Sequence, residues 1–129
     1  MESIFSKIIK REIPAYIIDE TDDFIAFLDV FPLAKGHVLV VPKKQVDYIF
    51  DLAPHLYSGL WTFANKIAHQ LEQAMPCKRI GIAVIGLEVP HAHIHLLPLQ
   101  TVEDINFSRP KLKLSNDEMQ EIAFKIKNI

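Results

Sequence analysis

The sequence predicts an α+β domain: a mostly antiparallel sheet of about five strands, carrying one long helix and shorter flanking helices. Three observations lead there. Segments rich in β-branched and aromatic residues outnumber the helical ones, so most strand pairs must join without a helical crossover. One stretch, residues 54–75, keeps an apolar period of three and four throughout. No repeat, low-complexity tract or linker divides the 129 residues, half of them apolar, so they form a single domain able to close one core.

The elements follow in order. Ser3 is placed to cap a short helix over residues 4–11, with apolar Ile4, Phe5, Ile8 and Ile9, and Pro14 halts it. Residues 15–19 and 24–30 read as extended, with Asp22-Asp23 as the turn between them. FPLAKG is a connection marked by Pro32 and Gly36, and HVLVVP is a buried-type strand ended by Pro42. In the long helix Leu56, Leu60, Phe63, Ile67, Leu71 and Ala74 share one side, opposite Lys66, Gln70 and Gln73. Pro54 suits its first turn and Pro76 stops it; His55 and His69 are ordinary polar positions on it. RIGIAVIG and VPHAHIHLLPL give two more strands. Ser115-Asn116-Asp117-Glu118 is a capping-box pattern that opens a last helix to Lys127, with Ile122, Phe124 and Ile126 behind it.

Composition narrows the function classes. Fourteen basic against sixteen acidic residues leave a formal charge of −2, which offers no electrostatic footprint for nucleic acid or an anionic membrane. Cys77 is the one cysteine, so an internal disulfide and thiolate-rich metal sites are excluded. The N-terminus is too charged for a signal peptide and no apolar run approaches about 20 residues, so the expected location is cytoplasmic.

The chemistry concentrates in HAHIHLLP. Three of the six histidines alternate there, and in a strand alternate side chains share a face. His91, His93 and His95 then point one way and Ala92, Ile94 and Leu96 into the core. Neighbours on that face stand roughly 6.5 Å apart, a span that a phosphate or a metal ion can bridge. Crowded imidazoles raise each other's cost of protonation, leaving free lone pairs at neutral pH that suit a nucleophile or a ligand. Glu88, three residues before His91, keeps a metal in play. The pattern marks a site and leaves metal and phosphate both open.

HAHIHLLP resembles the His-φ-His-φ-His-φ-φ signature of the histidine triad (HIT) family, where φ is apolar. FLDVFPLAKGHVLVVPKK resembles the family's other diagnostic segment, and the opening SIFSKIIKREIPAYIIDETDDFIAFLD its N-terminus. The likeness covers most of residues 1–99, the motif-bearing core, and leaves 100–129 as a variable tail. It implies a homodimeric nucleotide-binding fold that hydrolyses or transfers nucleoside monophosphates with neither metal nor cofactor in the chemistry. The substrate class is a purine nucleoside monophosphate joined to an amine or another group, as in a phosphoramidate. His93 would attack the α-phosphorus, with its other ring nitrogen held by the carbonyl of His91. His95 would contact phosphate oxygens and help protonate the leaving group, and His37 would support it from the next strand. Asp29 would take the ribose hydroxyls, and Phe5, Ile8, Phe27, Leu28 and Val30 would enclose the base. By their residue types alone, Asp29 is equally a turn residue and those apolar side chains plain core.

Two departures stand out. Many members carry Cys-x-x-Cys near the N-terminus as half of a structural zinc site; Ser3 and Ser6 stand here, and hydroxyls are poor zinc ligands. Before the triad Gly86 is kept, but Leu87 replaces a glutamine, the usual asparagine has no counterpart, and Glu88 adds negative charge beside the substrate. Each hydrogen bond lost to a charged oxygen weakens binding by about 1.5–3 kcal/mol. A non-catalytic nucleotide-binding or protein-interaction module is therefore the alternative function. In the tail, Arg109, Lys111 and Lys113 read as a solvated basic stretch that is also able to offer charge to a phosphate.

Overall fold

The computed structural model describes residues 1–129. Its elements are α1 (Ile4–Ile9), β1 (Ile17–Glu20), β2 (Phe24–Leu28), β3 (Val38–Pro42), α2 (Pro54–Ala74), β4 (Arg79–Ala83), β5 (Ile94–Leu99) and α3 (Asn116–Lys127), with single 3₁₀ turns at Ile49–Asp51 and Val102–Ile105. The five strands form one antiparallel sheet in the order β1-β2-β3-β5-β4. The expected class and strand number hold.

Both faces of the central strands are covered, which is why β2 and β3 read as unbroken apolar runs. On one face α2 sets Leu60, Phe63, Ile67 and Leu71 against Ala26, Leu28, Val40, Ile94 and Leu96, and α3 adds Met119, Ile122 and Ile126. On the other, α1 brings Phe5 and Ile8 onto Ile25, Phe27, Leu39 and Val41. This second layer covers only part of its face, and the remainder is the site.

Several boundaries move for local reasons. The first helix stops at Ile9 because Arg11 turns left-handed (φ 64°), with Arg11 N–H donating to Ile8 O at 3.0 Å and Glu12 N–H to Lys7 O at 2.9 Å. β2 ends at Leu28 because the carboxylate of Asp29 takes the N–H of Phe31 at 2.9 Å and turns the chain. The last strand begins only at Ile94, so His91 and His93 lie outside it; His91 N–H closes a three-residue turn onto Val89 O at 2.8 Å. In α3, Phe124 sits two residues from Ile122, hence on the far side of the helix, and is 66% exposed.

Candidate active site

Register builds the floor of the site. Phe27 lies opposite Leu39 and Leu39 opposite His95, so one row of side chains crosses the sheet on the face away from α2. A cavity of about 520 Å³ opens over this row, within the range that holds a small ligand. His37, His93 and His95 line it. His91 does not, and its ring is wholly buried. Ala92, Ile94 and Leu96 point into the main core, so the inward–outward alternation runs through the whole motif even though the strand pairing does not.

Fixed donors and acceptors set the tautomer of each imidazole. The carbonyl of His91 lies 2.7 Å from His93 Nδ1, so that nitrogen carries the hydrogen and Nε2 is a bare lone pair. Leu33 N–H donates to His37 Nδ1 at 3.1 Å, which puts the hydrogen of His37 on Nε2. His37 Nε2–H then donates to His95 Nδ1 at 2.9 Å, so His95 presents an N–H at Nε2. The rings of His93 and His95 meet edge to face with centroids 4.8 Å apart. A lone pair and a hydrogen-bond donor thus stand side by side at one wall.

Burial is the first cause of the low basicity here, ahead of the mutual crowding that spacing suggested. It holds His37 down to about 3 and His95 to about 4, with neighbouring imidazoles and Lys111 adding to it. His91 is lowered too, by burial first. Burial raises Asp29, with Glu88 acting in the same direction and the N–H of Phe31 opposing.

Asp29, His37 and His95 bring ligand-type atoms within 4.8 Å of one another. They do not suit a metal as they stand, because Leu33 leaves His37 Nε2 with a hydrogen and no lone pair. His91, another member of the triad, has both ring nitrogens engaged, Nδ1 by Ser3 Oγ at 2.6 Å and Nε2 by Pro42 O at 2.7 Å. Nor do Ser3 and Ser6 suit a structural zinc: the Ser6 hydroxyl already donates to Gln45 Oε1, and the Ser3 hydroxyl accepts Ser6 N–H and meets His91 Nδ1.

The apolar wall is only partly the expected one. Phe5 packs edge-on against Phe27 at 5.6 Å and against His93 at 5.0 Å, and Ile8 lies beside them. Leu28 is the exception. It borders the cavity, but its side chain alternates away from Phe27 into the core under α2. Val30 lines the rim and is 55% exposed. Gly86, at φ 72°, and Glu88 form the lip together with exposed Leu87.

One wall came from outside the recognised motifs. Phe107 sets its edge against His95 at 4.8 Å and His37 at 6.1 Å. Lys111 donates to Phe107 O at 2.7 Å and is the one lysine or arginine lining the cavity. Arg109 instead bonds Glu103 O and Asp104, and Lys113 lies away from the cavity. A lone aromatic in a polar stretch was the signal for Phe107, and nothing in sequence gave its partner.

The HIT domain model matches residues 10–102. Adenosine 5′-monophosphoramidase of Schizosaccharomyces pombe is 30% identical over 98% of this chain and 100% of its own length. The enzyme of the same name from Saccharomyces cerevisiae is 37% identical over 74% of this chain and 61% of its own. A HIT-like protein of Bartonella henselae superposes with a TM-score of 0.85 at 29% identity, over 98% of this chain and 95% of that one. With the motif, the fold and these relatives in agreement, the chain belongs to the histidine triad family.

Proposed function

We propose that the protein is a nucleotidyl hydrolase of phosphoramidase type, acting at the α-phosphate of a purine nucleoside monophosphate joined to an amine. The observation that carries this is the opposed state of two adjacent rings: His93 offers a lone pair at Nε2 and His95 an N–H. His93 Nε2 attacks phosphorus and the P–N bond to the leaving amine breaks, giving a nucleotidyl-histidine. His95 Nε2–H hydrogen-bonds the departing nitrogen, which takes up one proton from the medium. Water then cleaves the His93–phosphorus bond, releases the nucleoside monophosphate and returns that proton. Asp29 receives the ribose hydroxyls, while Phe5, Ile8 and Phe27 hold the base. The route uses no metal and no cofactor.

A second copy of the chain is the proposed partner. β4 is an edge strand; Ile82 on it is 52% exposed, and Ile85 and Leu87 just after it are 46% and 87% exposed, apolar surface that an isolated chain leaves uncovered. The reading of a binder without turnover is favoured by one observation, the absence of a donor at Leu87. The test of both is release of AMP from adenosine 5′-phosphoramidate by the natural protein and by His93→Ala. Loss of release in the mutant with AMP binding intact supports the enzyme. No release from either, with AMP bound by both, leaves the binder.

A further inference from the structure

The carbonyl that orients His93 belongs to a piece of chain that the sheet does not hold. Pairing between β3 and β5 starts at Val40 opposite Ile94, and the residues before it run without ladder bonds except where Ala92 N–H reaches Val46 O at 2.7 Å. Pro90 has no N–H to give. A main-chain segment that places a reacting ring needs another anchor, since a displacement of about 1 Å there can cost on the order of a hundredfold in rate.

That anchor is a closed polar cluster in which every hydrogen has a destination. Pro42 O can only accept, so His91 Nε2 carries the hydrogen and Nδ1 is bare; the Ser3 hydroxyl 2.6 Å away must donate to it. Ser3 Oγ in turn accepts Ser6 N–H at 3.0 Å, which caps α1. Gln45 ties the rest together. Its Oε1 takes Ser3 N–H at 2.9 Å and Ser6 O–H at 2.8 Å, and its amide hydrogens go to Met1 O at 2.9 Å and Pro90 O at 3.2 Å. One side chain therefore grips both the start of α1 and the residue directly before His91. Ser3 and His91 are buried, so the bonds of the His91 ring to Ser3 and Pro42 do not compete with bulk water, while those of Gln45 to Met1 O and Pro90 O lie at the surface.

We propose that Ser3 and Gln45 are positioning residues of the triad, holding the ring and the carbonyl of His91 so that His93 keeps its hydrogen on Nδ1 and its lone pair toward the cavity. They touch neither substrate nor the reacting atoms. Phe5, two residues on from Ser3, packs edge-on against both His91 (5.7 Å) and His93 (5.0 Å), so the same cluster seats the apolar wall against the nucleophile. The hydroxyl is needed as a donor and not for its volume, so threonine is an acceptable substitute at residue 3 and alanine is not.

This assignment rests on His93 being the nucleophile, and its test has one arm free of that assumption. Ser3→Ala, Ser3→Thr and Gln45→Met are compared with the natural protein. In the first arm, ¹⁵N spectra of the histidine rings report which nitrogen of His93 is protonated. The natural protein and Ser3→Thr should show one Nδ1–H form, and Ser3→Ala and Gln45→Met a mixture. In the second, kcat for AMP release from adenosine 5′-phosphoramidate should fall at least tenfold in those two variants, with KM nearly unchanged and recovery in Ser3→Thr. Unchanged His93 tautomers in folded Ser3→Ala and Gln45→Met overturn the proposal. So does a KM that rises as far as kcat falls, because that marks general loosening of the pocket. If the natural protein releases no AMP, the nucleophile reading fails and the ring spectra still decide the positioning. Should Ser3→Ala not fold, Gln45→Met carries both arms.

Discussion

His37 Nε2 stands 2.9 Å from His95 Nδ1, while Leu33 N–H already occupies the far nitrogen of His37. Hydrogen along this pair can therefore run in one direction only, from the backbone through His37 to His95 and out at Nε2. A surface histidine would sample both tautomers; here a main-chain amide selects one for two rings in series.

This pairing sets a pH dependence. Both rings ordinarily titrate near 6.5, and in the fold His37 is held to about 3 and His95 to about 4. Below 6.5 the unfolded chain takes up protons that the folded chain refuses, so their stabilisation is complete above 6.5 and is lost as pH falls through about 4 for His95 and about 3 for His37. Asp29, raised by burial, works oppositely: its contribution is present below its ordinary value and fades as pH rises through the folded one. Urea midpoints should be clearly higher at about pH 7.5 than at about pH 5, and His37→Gln should flatten that difference.

Leu28 and Ile8 separate packing from binding. Leu28 lies in the core under α2, so Leu28→Ala should cost about 2–5 kcal/mol of unfolding free energy and leave KM within about twofold. Ile8 covers the cavity side, so Ile8→Ala should raise KM by about tenfold for nucleotide substrates. Denaturation and steady-state kinetics on the two variants check the contrast.

Lys111 is the one permanent positive charge lining a cavity that also carries Asp29 and Glu88. Lys111→Ala should weaken AMP binding by about threefold at low salt, since its ammonium is exposed and hydrated. The difference between variant and natural protein should shrink to nothing near 1 M salt, where screening acts over about 3 Å. Calorimetric titration at the two salt concentrations decides it.

The β4 edge predicts assembly. Sedimentation of the 14.8 kDa chain at micromolar concentration should show twice that mass. Ile82→Lys, which places a charge on the edge strand, should return it to the monomer.

How far these features were visible in sequence depended on how local their causes are. The period of α2, the capping box of α3 and the buried character of β3 are written in neighbouring residues, and they hold. Alternation also carried Ala92, Ile94 and Leu96 into the core without error. Leu28 was grouped with Phe27 by the family resemblance, whereas adjacent side chains of a strand lie on opposite faces and its own packs in the core under α2. The helix end at Arg11 was missed because a left-handed arginine leaves no compositional mark of the kind glycine does. Phe107 and Gln45 were missed for a different reason: each meets its partners across a long stretch of chain, 45 residues in the bond from Gln45 to Pro90, and no local pattern announces such a contact.

The cluster of Ser3, Ser6 and Gln45 also bears on the surroundings in which the chain keeps its shape. A helix fastened by thiolates on an ion is exposed to peroxide, which oxidises sulfur, and to any chelator that outcompetes it. Hydroxyls and a carboxamide offer neither attack a foothold. The seat of α1 is thus built from hydroxyls and a carboxamide of the polypeptide, with no sulfur in it to oxidise.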